Sequence, residues 1–331
     1  MRFLFKLFLV AVVLLAGLAG GAWWWANQPL ALRNSPLDFR VTAGSSLRSA
    51  ISQMRDAGID VDPTMLAMLA RFNRADTAIK AGSYAVNNGI TPLQLLDKML
   101  KGKVTQGELT LVEGWTFRQW RVRMDNHPDL KHELRGMSNA QIIERLGLNV
   151  ASLEGLLFPD TYLFDKQSTD LELLARANRA MQRKLDSEWA QRAAGLPYKT
   201  PDEALIMASI VEKETGREAD RNLVAAVFVN RLRKGMMLQT DPTVIYGLGE
   251  AFDGNLRRRD LHADNPYNTY TRHGLPPTPI AMPGQASLRA ALNPAQSDIL
   301  YFVARGDGSS QFSRTLDEHN NAVNRYQRGG K

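Results

Sequence analysis

Residues 202–235, DEALIMASIVEKETGREADRNLVAAVFVNRLRKG, read as two helices separated by a break. Asp202 is a good N-cap, and the first helix is expected to end at Glu214, with Thr215 and Gly216 as its stop. Met207, Ile210, Val211 and Glu214 fall at i, i+3, i+4 and i+7 and share a face, whereas Glu212 points about 200° away from Glu214 on the helical wheel. One carboxylate therefore ends an apolar stripe. Burial and the negative end of the helix dipole both disfavour its charged form, so Glu214 is expected to have a pKa raised toward that of a general acid working near neutrality. That is the environment a glycosidic acid needs. From this helix alone, the plainer reading is a surface pair of glutamates at a frayed end. The second helix, expected over residues 220–234, carries Leu223, Val224, Val227 and Phe228 inward, with Arg231, Arg233 and Lys234 before Gly235.

Downstream, MMLQTDPTVIYGLGE spans residues 236–250, where Asp241 followed by Pro242 reads as a cap and first turn beside Gln239, Thr240 and Tyr246. NPYNTYTRHGLPPTPIAMPG, residues 265–284, is a Pro/Gly-rich loop bearing Asn268, Thr269 and Tyr270. Long irregular loops of this kind often bind ligands. Upstream, helices are expected at 140–146, 171–185 and from Thr116 through Phe117 and Trp120, after a strand at 109–112. LEGLLFPDTYLF, residues 153–164, reads as a buried turn or cleft wall rather than a regular element.

The amino-terminal part is expected to alternate short elements: a strand at 38–41, helices at 47–57 (capped by Ser45 or Ser46) and 63–72, a strand at 79–86, and a helix started by Thr91 and Pro92 and stopped by Gly102. Within it, KAGSYAVNNGITPLQLLDKMLKGK, residues 80–103, resembles a LysM module, a small fold that binds N-acetylglucosamine-containing glycans. A generic α+β packing domain is the alternative.

Residues 7–26 form an uncharged apolar run of 20 residues, enough at ~1.5 Å per residue to cross a ~30 Å hydrocarbon core. Arg2 and Lys6 precede it, which places them in the cytoplasm and the remainder on the far side. Trp23, Trp24 and Trp25 stand at the outer end, where indole rings favour the headgroup layer. A cleavable signal peptide is the competing reading, and bulky Trp where small residues lead to cleavage speaks against it. The chain of 331 residues has no Cys, which removes disulfides, thiolate metal sites and a cysteine nucleophile. Its net charge of +7 points to an anionic partner, and export makes nucleic acid the wrong one. His262, His273 and His319 are scattered and read as loop or packing residues, so no metal site is expected.

In order, VEGWT (112–116), EGLLFPDTY (154–162), MASIVEKETG (207–216), VFVNRLRKGM (227–236), LQTDPTVIYG (238–247), YNTY (267–270), GLPPTPI (274–280) and LYFVARGDG (300–308), followed by Phe312, Thr315, His319 and Asn320, closely resemble the YceG-like family of endolytic murein transglycosylases. The resemblance implies an α+β chain organised as a cytoplasmic tail (1–6), a transmembrane helix (7–26), a linker (27–37), a small LysM-like α+β module (38–105) and a larger mixed α/β catalytic domain (106–331). It implies a membrane-anchored lyase, single-pass in the cell inner membrane with its carboxy-terminal domain outside the cytoplasm, that works without a cofactor. The substrate implied is the peptidoglycan glycan strand. The bond cut is the β-1,4 bond between N-acetylmuramic acid and N-acetylglucosamine, leaving a 1,6-anhydromuramyl end. Membrane peptidoglycan synthases are the implied partners, and termination of nascent strands is the implied role.

The family's glutamate in the E-K-E-T motif maps to Glu214, with Glu212 as the alternative; Gln239, Thr240, Asp241, Tyr246, Asn268, Thr269 and Tyr270 map to glycan-cleft positions. A single carboxyl suffices for this reaction. It protonates the glycosidic oxygen and then takes the proton of the muramyl C6 hydroxyl, which attacks its own C1. A muramidase-type hydrolase needs a second acid, for which Asp241 is the one candidate, read otherwise as a helix cap. A non-catalytic scaffold that recruits wall synthases would keep its cellular function after Glu214→Gln.

Overall fold

The computed structural model describes residues 2–75 and 78–329. The outer ends of the expected ranges, residue 1 and residues 330–331, lie outside them, as do the side chains of Arg2 and Phe3. The chain divides into two compact units: residues 1–108 with 129–131 and 163–168, and residues 109–128, 132–162 and 169–331.

The first unit begins with α1 (Arg2–Ala26), one helix long and apolar enough to cross a membrane over Leu4–Ala26, by a measure that a signal sequence also meets. The helix starts earlier than the apolar run because nothing in Lys6 or its neighbours opposes helical backbone. Ala26 is buried and Trp25 packs against the unit's core. Strand β1 (Ala31–Leu32), β2 (Leu37–Val41), α2 (Leu47–Ala57), β3 (Ile59–Asp60), α3 (Pro63–Phe72), β4 (Gly82–Val86) and α4 (Pro92–Lys101) follow. β2 and β4 pair antiparallel with Leu37 opposite Val86 and Val41 opposite Gly82. Their inward residues Phe39 and Tyr84 stack at 5.4 Å and meet Ile51, Met54, Leu66, Leu95 and Met99 in one core. Ser46, Asp62 and Thr91 cap the three helices, each accepting a backbone N–H of the first turn.

Strand β5 (Gln106–Leu111) leads on to α5 (Phe117–Asp125), α6 (Asn139–Arg145), β6 (Asp160–Asp165), α7 (Asp170–Ala190), α8 (Pro201–Glu214), α9 (Glu218–Arg233) and α10 (Asp241–Leu248). A 3-10 turn (Gly249–Ala251), α11 (Arg258–His262), α12 (Gln285–Leu292), β7 (Tyr301–Ala304), β8 (Ser310–Ser313) and α13 (Leu316–Tyr326) complete it. The expected irregular segment 153–164 is only half so: its last residues pair as β6 with β5, the hydroxyls of Thr110 and Thr161 3.0 Å apart. Alternation of Tyr162 and Phe164 inward against Thr161 and Leu163 outward is the strand signal, hidden in the sequence by Pro159 just before it.

The core of the second unit is helical, with α8 packed against α7, α9, α10 and α12. All eight residues from Ala204 to Val211 are buried, so α8 is enclosed on every side rather than striped on one. Its N-cap is Thr200, with Pro201 as first helical residue, two positions before the expected Asp202. α5 is held at its start by a capping box of Thr116 and Gln119. Thr116→Ala is expected to lower stability by about 1 kcal/mol in urea unfolding, and an unchanged midpoint would show the box to be idle.

Candidate active site

Glu214 is the last helical residue of α8, and the Thr240 hydroxyl donates to its Oε1. Three threonines build that contact. Thr240, Thr243 and Thr269 are buried; the Thr240 N–H donates to Thr269 Oγ1 at 3.1 Å, Thr243 Oγ1 donates to the Thr240 carbonyl at 2.8 Å, and the Thr243 and Thr269 hydroxyls lie 2.9 Å apart. Gln239 turns the chain into this cluster at φ 50°, a left-handed conformation held by its N–H on the Thr269 carbonyl at 3.1 Å. Thr240 is thus the N-cap of α10 without a side-chain cap bond, its hydroxyl being committed to Glu214. Asp241, expected as the cap, is instead the first helical residue, exposed, and accepts from the Tyr270 hydroxyl at 2.6 Å.

Burial is the main cause that raises Glu214 to a pKa of about 7; the Asp241 charge adds to it, while the Thr240 hydrogen bond and the Arg231 charge oppose it. In the sequence Arg231 is one of three basic residues that signal a helix end. It is buried, with Nε on the Leu300 carbonyl and Nη1 on the Leu238 carbonyl, both at 2.8 Å, and its guanidinium 5.1 Å from the Tyr301 ring centre. Burial lowers its pKa against the opposing influence of Tyr301, Tyr270 and Glu214. No local signal distinguishes Arg231 from Arg233, because the Leu300 carbonyl and the Tyr301 ring that help hold Arg231 lie about 70 residues away.

Glu212 faces elsewhere, as the wheel predicts. Its Oε2 accepts the Gly284 N–H at 3.0 Å, and its charge, after burial, helps raise the pKa of Glu113, which Arg221 lowers. The loop before Gly284 is sewn to α8 and to the VEGWT segment: Ile280 N–H donates to Ser209 Oγ at 3.0 Å, Met282 N–H to the Trp115 carbonyl at 2.9 Å, and Gly114 N–H to the Met282 carbonyl at 2.8 Å. Asn268 is fully buried, its amide donating to the carbonyls of Asp260, Leu261 and Ala263, so it shapes the loop that presents Thr269 and Tyr270.

Tyr246 does not reach Glu214's partners. Its hydroxyl donates to Glu154 Oε2 at 3.2 Å, and its ring meets Tyr267 edge-on at 4.9 Å. Glu154, overlooked in the sequence, is buried and also accepts the Phe117 N–H at 3.0 Å. Burial raises its pKa to about 7 against those two hydrogen bonds. The adjacent Gly155, at φ 79°, lies so close to Pro279 that a Cβ has no room there.

Among the described residues, Asp125, His132 and Asp170 bring one potential ligand atom each within 4.8 Å of one another. Asp170 already accepts from Glu133, Leu134 and Leu171 N–H groups, the work of a loop clasp. His273 Nδ1 lies 3.1 Å from the Gly235 carbonyl, His319 stacks on Tyr301 at 5.2 Å, and His262 is exposed at the end of α11.

The profile of the YceG-like family matches residues 39–325. The endolytic murein transglycosylase of Bacillus subtilis (strain 168) is 30% identical over 311 residues, covering 88% of this chain and 84% of that protein. The endolytic murein transglycosylase of Streptococcus pneumoniae serotype 2 (strain D39 / NCTC 7466) is 27% identical over 317 residues, 86% of this chain but 57% of the longer relative. Among solved structures, the yceG-like protein lmo1499 from Listeria monocytogenes is similar at a TM-score of 0.53 and 32% identity, over 86% of this chain and 98% of that one.

Proposed function

The chain belongs to the YceG-like family, and from that premise we propose that it is a lytic transglycosylase acting within murein strands, with Glu214 as acid and then base. The observation that carries this reading is the single carboxyl at the end of α8, raised to about 7 and held by Thr240. Protonated, Glu214 donates to the oxygen between N-acetylmuramic acid and N-acetylglucosamine, and that bond breaks with positive charge developing at the muramyl C1. The carboxylate so formed accepts the C6 hydroxyl proton as that oxygen closes on C1, giving the 1,6-anhydro ring and restoring the acid. The nucleophile belongs to the substrate, so the entropic cost of capturing a water is avoided.

The surroundings supply the balance this cycle needs. Burial favours the acid before the first transfer, and the Thr240 hydroxyl and Arg231 charge favour the carboxylate after it. Gln239 and Asp241 are exposed beside the carboxyl and Tyr270 is half-buried there, in position to meet sugar hydroxyls; Thr269 and Asn268 hold them from behind. Tyr246 acts through Glu154 on the spacing of α5 and α10.

In this reading α1 is a membrane anchor with a short cytoplasmic tail (1–6), residues 38–105 are a LysM-like glycan module, and residues 106–331 are the catalytic domain outside the cytoplasm. Placement at the membrane beside peptidoglycan synthases makes strand termination the natural role. The test is the chemistry of the new ends. Mass spectrometry of uncrosslinked strands treated with the full chain is expected to find 1,6-anhydromuramyl termini. Reducing muramyl termini, lost on Asp241→Asn as fully as on Glu214→Gln, would make the enzyme a hydrolase.

A further inference from the structure

We propose that a groove along the outward face of α5 holds the anionic stem peptide of the strand being cut. This deepens the reading above and rests on it. α5 turns Phe117, Trp120 and Met124 into the core and leaves Arg118, Val122 and Arg123 outside. With Trp115 just ahead of the helix and Glu250 opposite, these residues line a groove of about 640 Å³. Val122 is 59% exposed, an aliphatic side chain that lines the same groove as Arg118 and Arg123.

Hydrogen bonds tie the walls of the groove to the elements that carry the site. The Trp115 carbonyl receives Met282 N–H, and the neighbouring Gly114 carbonyl receives Lys213 Nζ at 3.2 Å, from the residue between Glu212 and Glu214. Glu250 lies two residues beyond α10, the helix whose N-cap holds Glu214. Glu154 spans the two walls, taking one N–H from the start of α5 and one hydroxyl from α10.

Its chemistry selects the peptide over the sugar. The glycan backbone offers neutral hydroxyl and acetamido groups, whereas stem peptides bear free carboxylates and aliphatic side chains. Planar guanidinium groups grip carboxylates through paired hydrogen bonds, and Val122 and Trp115 offer apolar contact in the same groove. Arg118 is occupied by Glu250 at 2.5 Å, but with 63% and 85% of the two side chains exposed the pair is weakly held and yields to a better-placed carboxylate.

The experiment compares uncrosslinked strands bearing stem peptides with the same strands stripped by an amidase, using the full chain in detergent. The wild type is expected to prefer the peptide-bearing strands by about tenfold in kcat/KM, mostly through KM, and the double variant Arg118→Gln, Arg123→Gln to bring that ratio near one. Paired Arg→Lys changes should restore part of the preference. A wild type indifferent to the peptide, or a double variant that keeps the preference, overturns the proposal. If neither strand yields anhydro ends, the function proposed above is what fails. Calorimetric titration of free stem peptide then decides the groove: binding lost in the double variant supports it, and no binding to the wild type overturns it.

Discussion

Glu214→Gln is expected to cut the rate of anhydromuramyl formation by about 10²–10⁴-fold, the usual worth of a positioned acid and base. The amide keeps an oxygen for the Thr240 hydroxyl, so the fold should survive and the loss should fall on kcat. Glu212→Gln removes a charge whose partner is the Gly284 N–H, and strand cleavage should persist. Loss of anhydro ends in the Glu212 variant alone would move the site to the other side of α8. The pH dependence gives an independent check. With Glu214 near 7 and required as the acid in the free enzyme, kcat/KM should fall as pH rises through about 7. Thr240→Val deletes a hydrogen bond that favours the carboxylate, so that limb should move to higher pH. A limb left in place would mean that another group titrates, and Glu154 is the one to examine.

How far these features can be read in the sequence depends on the range of the interaction that makes them. Most helix starts are local and legible: Thr91, Thr116 and Ser46 cap the helices that follow them within three residues. Asp202 misled because it also favours a first turn, and Thr200 before Pro201 uses the same rule two residues earlier. The separation of Glu212 from Glu214 followed from helix geometry alone. The apolar stripe did not survive, because α7, α9, α10 and α12 pack around α8 and bury every residue from Ala204 to Val211. Arg231 and Glu154 went unseen for a related reason. Each is an ordinary charged residue whose role comes from carbonyl, amide or hydroxyl partners far along the chain. Thr240 and Tyr270 were legible as polar residues of a turn and a loop and, through the resemblance, as glycan-cleft positions, but the fold alone sets one on Glu214 and the other on Asp241.

Glu154→Gln is expected to be more stable than the wild type at alkaline pH, by an amount that disappears in acid. Burial holds the Glu154 pKa near 7 in the folded protein, against an ordinary value of 4.5 when unfolded. The folded state therefore binds the proton more tightly, so this group's contribution is fully present below about 4.5 and is lost as pH rises through about 7. Across that window the wild type gives up on the order of 3 kcal/mol that a non-titrating glutamine keeps. The amide oxygen still accepts the Phe117 N–H, and its NH2 faces a Tyr246 hydroxyl that can turn to accept. Urea unfolding of both proteins at pH 4 and pH 8 reads the difference directly. A gap of the same size at both pH values would mean that Glu154 is solvated well enough to ionise normally. The same variant clears the rate profile of its second titrating group, so a limb near pH 7 that remains in it belongs to Glu214. A limb that vanished would tie the activity to the spacing of α5 and α10, since those are the elements Glu154 joins.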